Sequence, residues 1–126
     1  MSKNLNNNSH RLSRVNELIK RELSSILQVM EWREYGFTVL NITFTEVECS
    51  KDLRIAKIYY IPIGIKNSKF VDKAINSRVK EFRKYLGKKL HLKFIPELRF
   101  IEDKSFEAFQ KTSEILEKLS KNKNKQ

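Results

Sequence analysis

At 126 residues the chain has room for one packed domain with short tails, and its 40% hydrophobic residues, interrupted by only three glycines and two prolines, exclude a low-complexity chain. Twenty-six Lys and Arg against fifteen Asp and Glu give a formal net charge of +11, which attracts polyanions and makes nucleic acid the first partner class. No stretch reaches the roughly 20 apolar residues of a bilayer span and the N-terminus lacks a signal-peptide core, so a cytoplasmic protein with no membrane partner is expected.

Residues 1–8, four of them Asn, show no hydrophobic period and read as a disordered tail, with Ser9 as the helix N-cap and a domain over residues 9–119. Leu12, Val15, Leu18, Ile19, Leu23, Ile26, Leu27 and Met30 then recur at helical spacing, opposite Arg11, Arg14, Lys20 and Arg21. Residues 31–36 break the period. Residues 37–48 alternate as a half-buried strand, with Leu40, Ile42 and Phe44 on one side, and residues 49–52 form a polar turn. A second strand over residues 53–61, rich in Ile and Tyr, closes at Pro62 and Gly64 to complete a hairpin.

Residues 67–89 return to a helical period through Phe70, Val71, Ala74, Ile75, Val79, Phe82 and Leu86, with Gly87 as a stop. The pattern allows one helix or two, and Arg78, Val79 and Lys80 all tolerate a helix interior. Leu90, Leu92 and Phe94 alternate with His91 and Lys93 as a third strand that continues through Pro96 to Phe100, where the proline implies a bulge or an edge. A final helix from about Ser105 uses Phe106, Phe109, Ile115, Leu116 and Leu119, and residues 120–126 alternate Lys and Asn as a disordered basic tail. The order points to an α+β domain with helices packed on one face of a three-stranded sheet.

The charge is unevenly placed. Residues 66–93 hold ten basic side chains and two acidic ones, whereas residues 94–117 hold three basic and six acidic, so a binding face is expected in the former. Arg78, Lys80, Arg83 and Lys84 lie within seven residues, with Lys88 and Lys89 close behind, and at helical spacing several can reach one phosphate backbone. Any single lysine there reads as ordinary solvated surface, and it is the cluster that reads as a binding face. Phe82 follows the apolar period, which leaves Tyr85 as the stacking candidate, so the site suits backbone and shape better than base reading.

No reaction centre stands out, and the chain does not read as an enzyme. It has no Gly-rich phosphate loop, and Glu46, Glu48, Asp52, Glu102 and Asp103 fall at strand ends and turns, where solvated or capping roles are common. The single cysteine, Cys49, reads as a small buried hydrophobe. His10 and His91, 81 positions apart, offer no metal-ligand spacing, so neither metal nor cofactor is expected.

Four segments resemble the bacterial ribosome-binding factor A family. They are Arg14-Val15-Asn16-Glu17-Leu18-Ile19-Lys20-Arg21-Glu22-Leu23 with Ile26-Leu27; Val47-Glu48-Cys49-Ser50-Lys51-Asp52-Leu53 with Ala56-Lys57-Ile58-Tyr59; Phe82-Arg83 with Leu86-Gly87-Lys88; and Phe94-Ile95-Pro96-Glu97-Leu98-Arg99-Phe100 with Asp103-Lys104-Ser105. The resemblance spans about residues 11–119, and its Ser-x-Asp-Leu-x-x-Ala and Pro-Glu-Leu-x-Phe-x-x-Asp segments are specific in combination. It implies a KH domain of the second topology (αββααβ) plus a C-terminal helix, in a monomer without cofactors. It also implies binding to the immature small (30S) subunit, assistance in late maturation of 16S rRNA, importance at low temperature, and release by a ribosome-associated GTPase.

Placed on that scheme, the RNA-binding candidates are Ser77, Arg78, Lys80, Arg83, Lys84, Lys88 and Lys89, with Arg11 and Arg14 as a secondary set. Two departures bear on it. The family's small Ala-x-Gly bend is replaced by Arg78-Val79-Lys80, and the family's Asp-Pro-Arg after the first helix is replaced by Glu31-Trp32-Arg33. A break in the helix pair within residues 77–80 is nevertheless expected. Two alternatives stay open: a general nucleic-acid-binding module without ribosome specificity, and an adaptor whose basic surface meets an acidic protein.

Overall fold

The apolar stripe at the start of the chain becomes one face of α1 (Ser2–Val29) in a computed structural model that describes residues 2–32, 40–64 and 68–105, together with 115, 116 and 119. Ile19, Leu23, Ile26 and Leu27 are buried on that face, and Met30 just after the helix is buried with them. Leu12, Val15 and Leu18 pack against the core edge. The helix begins at Ser2, so Ser9 is an interior position and not the expected cap, and residues 2–8 carry helical backbone where an irregular tail was expected. Asn is a poor helix former. Once packing has fixed the later turns, each added residue gains a hydrogen bond without a new nucleation cost.

β1 (Ile42–Cys49) and β2 (Ile55–Pro62) form the antiparallel hairpin, and β3 (Glu97–Glu102) pairs parallel to β2, giving the sheet order β1-β2-β3. Alternation sends Ala56, Ile58, Tyr60, Leu98 and Phe100 to one face. On β1 the buried set changes parity, from Ile42 and Phe44 to Val47 and Cys49, because Phe44 pairs with Tyr60 and Glu46 with Tyr59, leaving Thr45 as a bulge. The hairpin turn is built by side chains: Ser50 Oγ donates to Asp52 Oδ1 at 2.7 Å and accepts from the Ile55 N–H at 3.1 Å. The Leu53 N–H donates to the Ser50 carbonyl at 2.9 Å, with Leu53 itself left-handed at φ 58°. Asp52 also accepts from the Arg54 N–H, and these donors hold its carboxyl below the ordinary aspartate range.

α1 is tied to the edge strand at one polar point, where the Cys49 N–H donates to Asn16 Oδ1 at 2.9 Å. The Cys49 thiol is buried, and desolvation pushes its pKa up to about 11, as expected of a packing residue.

The crossover from β2 to β3 is a helix pair, α2 (Ser68–Ser77) and α3 (Val79–Lys89), so the break expected within residues 77–80 is present. No glycine makes it. The Arg78 N–H donates to the Ile75 carbonyl at 3.1 Å in a tightened turn, and Ser77 Oγ donates to the Ala74 carbonyl at 2.7 Å, satisfying acceptors at the end of α2. Arg78 leaves helical geometry at φ −119°, ψ 21°, and α3 restarts as the Phe82 N–H donates to the Arg78 carbonyl. Val71, Ala74, Ile75, Phe82 and Leu86 are all buried, so the bend lets both short helices keep their apolar faces on one curved sheet.

Residues 90–96 are not strand, contrary to the expected alternation. The β3 ladder opens at Glu97 opposite Ile55, with the Glu97 N–H donating to the Arg54 carbonyl at 2.7 Å. Ahead of it β2 has given way to the hairpin turn, and Pro96 has no N–H to offer a ladder. The helices lie on one face: α1 packs on β1 and α3, and α2 and α3 pack on β3. Trp32, Tyr60 and Phe82 fill the layer between, with ring centroids 6.3 Å apart for Trp32 and Phe82 and 5.0 Å for Phe82 and Phe100. Ser105, Ile115, Leu116 and Leu119 are helical, while the rest of the expected final helix, the strand positions 37–39 and the 120–126 tail lie outside the described residues.

Candidate nucleic-acid interface

The helical period of α3 sorts its side chains. Phe82 and Leu86 are buried and Val79 is half-buried, so the opposite face carries Lys80, Lys84 and Lys88, all exposed. Four-residue steps place these lysines in one row, about 6 Å apart along the axis. Tyr85 flanks the row at 38% exposure. Lys88 and Lys89 also stand in the last turn, where their charge complements the negative end of the helix dipole, and Glu81 does the same for the first turn. On the neighbouring α1, Arg11 and Arg14 are exposed, and a groove lined by Ser13, Arg14, Glu17, Leu18 and Arg21 follows that helix.

Three other candidates have work inside the fold. Ser77 spends its hydroxyl on ending α2. Arg78 lays its guanidinium over Trp32, 4.5 Å from the ring centroid, donates to the Glu31 carbonyl, and stands 3.9 Å from Glu81 Oε2. Its side chain is only 16% exposed. Arg78 at the bend and Trp32 after α1 therefore meet in space: the cation rests on the tryptophan ring. Arg83 donates through Nε to the Pro96 carbonyl at 3.2 Å and through Nη2 to the Ile95 carbonyl at 3.0 Å, binding α3 to the segment before β3.

Phe94 is a residue the sequence misplaces. It was expected inside a strand and is 74% exposed. Leu90, Leu92, Phe94, Leu98 and Phe100 share one parity, which conceals the change of conformation; Pro96 alone marks it. Lys93 Nζ lies 5.7 Å from the Phe94 ring centroid.

Two of the described carboxylates are engaged in hydrogen bonds within the fold. Asp103 accepts from Thr45 Oγ1 at 2.8 Å and from the Ser105 N–H at 3.0 Å, and the Ser105 and Thr45 hydroxyls hold its carboxyl below the ordinary aspartate range. Asp72 accepts from the Tyr60 hydroxyl at 3.2 Å, and burial followed by the Asp72 charge pushes the Tyr60 pKa well up. Among the described residues no three His, Cys, Asp or Glu side chains gather at metal-ligand spacing, and no helix is long and apolar enough to cross a membrane.

The family model described as ribosome-binding factor A matches residues 11–116. A ribosome-binding factor A of Pelagibacter ubique is 36% identical over 113 residues, covering 90% of this chain and 93% of the relative. The crystal structure of ribosome-binding factor A from Thermus thermophilus shares the fold at a TM-score of 0.64 and 17% identity, covering 75% of this chain and 97% of that one. A homology model of the Thermus thermophilus factor, as fitted into a cryo-EM map of its complex with the 30S subunit, gives a TM-score of 0.56 at 18% identity, over 71% of this chain and 91% of that one.

Proposed function

The chain belongs to the ribosome-binding factor A family, and from that premise we propose that it is a ribosome-assembly factor that binds the free small subunit and assists late maturation of 16S rRNA. The observation that carries this is the match over residues 11–116, which takes in every element that forms or supports the lysine row. The Thermus thermophilus relative is described in complex with the 30S subunit, and the same fold here presents Lys80, Lys84 and Lys88 to solvent.

The mode of binding is electrostatic and shape-directed. The lysine row of α3 runs against rRNA phosphates, with Lys89, Arg11 and Arg14 extending the contact and the KH-like bend of the helix pair setting its course. Arg78 and Arg83 act one step behind, by fixing the bend and the segment before β3. On this reading the protein works in the cytoplasm as a monomer, carries out no chemistry, gains importance at low temperature, and leaves the subunit through a ribosome-associated GTPase.

Co-sedimentation tests the proposal. The protein is expected to travel with free small subunits and not with complete ribosomes, and crosslinking to precursor subunits should recover 16S rRNA. Equal binding to any RNA or DNA of similar length would favour the general nucleic-acid-binding module instead. Binding that survives nuclease treatment would favour the adaptor.

A further inference from the structure

Among the described residues Phe94 is the most exposed large apolar side chain, and its exposure is built into the fold. Leu92 and Ile95 on either side pack against the core, Pro96 is buried, and Arg83 holds the carbonyls of both Ile95 and Pro96. A backbone fixed on both sides holds the ring at the surface, with Lys93 Nζ 5.7 Å from its centroid.

The surroundings name the chemistry of a partner. Ile95 lies beside Gly87, 3.7 Å from where a Cβ there would stand. Gly87 follows Lys84 by three residues and precedes Lys88, so the Phe94 segment borders the lysine row. Lys88 and Lys89 at the end of α3 and His91 and Lys93 just before Phe94 in sequence are all exposed, and Lys93 is the one seen against the ring. A protein-docking patch needs contiguous apolar area, whereas this ring stands alone among basic side chains. A flat apolar face beside phosphate-binding cations fits one ligand class, a nucleobase on a polyanionic strand.

We propose that Phe94 is the stacking platform for an unpaired nucleobase of the RNA whose backbone lies along Lys80, Lys84 and Lys88. This rests on the RNA-binding function proposed above and adds a preference to it. Bases in a duplex are already stacked and cannot reach the ring, so Phe94 selects single-stranded or bulged rRNA. Because every base has a π face, the contact is tolerant of sequence.

The test compares the full-length protein with Phe94→Ala and Phe94→Tyr on a fluorescent single-stranded RNA, a duplex of the same length, and free 30S subunits. Phe94→Ala is expected to weaken single-strand binding about tenfold, in line with the energy of one base–aromatic stack. Duplex binding should stay unchanged, and Phe94→Tyr should bind as the parent does. Unchanged single-strand affinity in Phe94→Ala overturns the stacking role alone and leaves RNA binding standing. Parent protein that binds no RNA overturns both. A loss confined to 30S subunits, with naked RNA unaffected, would assign the ring to a ribosomal protein and overturn the nucleobase.

Discussion

Arg78 shows how little a residue's type says about its use. As a cation in the most basic stretch of the chain it reads as a phosphate ligand, yet it is held against Trp32 and the Glu31 carbonyl, a contact that spans 47 positions in sequence. Nothing local encodes that contact; it exists because α1 and α3 pack side by side. Arg78→Ala should cost stability, about 1–3 kcal/mol, by removing the cation–π contact, one hydrogen bond and the stem that covers the indole. Arg78→Lys should recover only part, since a point charge does not stack as a planar guanidinium does. Urea unfolding checks both, and a loss of RNA affinity in the folded Arg78→Ala protein as large as that in Lys84→Gln would return Arg78 to the interface. Asp103, whose carboxyl is held down first by the Ser105 hydroxyl and then by that of Thr45, gives a pH signature. Its folded-state pKa is depressed, so its stabilisation is in place above the ordinary aspartate value of 3.8 and is lost as pH falls through the lower folded value. Thr45→Val should therefore be less stable at neutral pH and lose less stability on acidification. Parallel acid-unfolding curves for the two proteins would show that Thr45 does not hold that shift.

At the scale of elements, periodicity marked out α1, the hairpin and the helical stretch between β2 and β3, because each buries one face and burial is what periodicity records. It did not show where β3 begins, since Leu90, Leu92 and Phe94 keep the strand parity while β2 offers no ladder before Ile55. Nor did propensity show the break at Arg78, which is made by a serine hydroxyl and a shortened turn in place of a flexible residue. The β1–β2 turn carries a further consequence of the same kind. Leu53 sits at φ 58°, a conformation that costs a residue with a Cβ about 1–2 kcal/mol, and is held there because its side chain packs against the core. Leu53→Ala loses the packing and keeps the strain; Leu53→Gly loses the packing and sheds the strain. The glycine variant is expected to be the more stable of the two by about 1 kcal/mol. Thermal or urea unfolding of the pair decides it, and alanine equal to or above glycine would mean that the left-handed turn is absent in solution.

For the whole molecule, the two sides of the sheet are unlike in charge. The outer face exposes Glu46, Glu48 and Glu97 beside Lys57 and Arg99, while the helix side carries the Lys80–Lys84–Lys88 row, so a polyanion has one side to approach. The excess of charge over residues 66–93 was legible because lysines can be counted. Its division into a free row and a pair of tethered arginines was not, because Arg78 and the still exposed Arg83 turn back to backbone carbonyls that only the fold brings near. That division has a thermodynamic signature. A side chain that neutralises a phosphate releases counterions, and for single strands the slope of log affinity against log salt changes by about 0.7 for each such contact. Replacing Lys80, Lys84 and Lys88 together by Gln should therefore flatten the slope by about 2 and weaken binding most at low salt. Glutamine keeps the helix, and unlike Glu it does not set a negative charge against the dipole at the end of α3. Phe94→Ala should lower affinity at every salt concentration and leave the slope as it was, because stacking releases no counterions. A titration series from low to physiological salt separates the two contributions, and an unchanged slope in the triple Gln variant would move the interface off α3, toward Arg11 and Arg14 on α1.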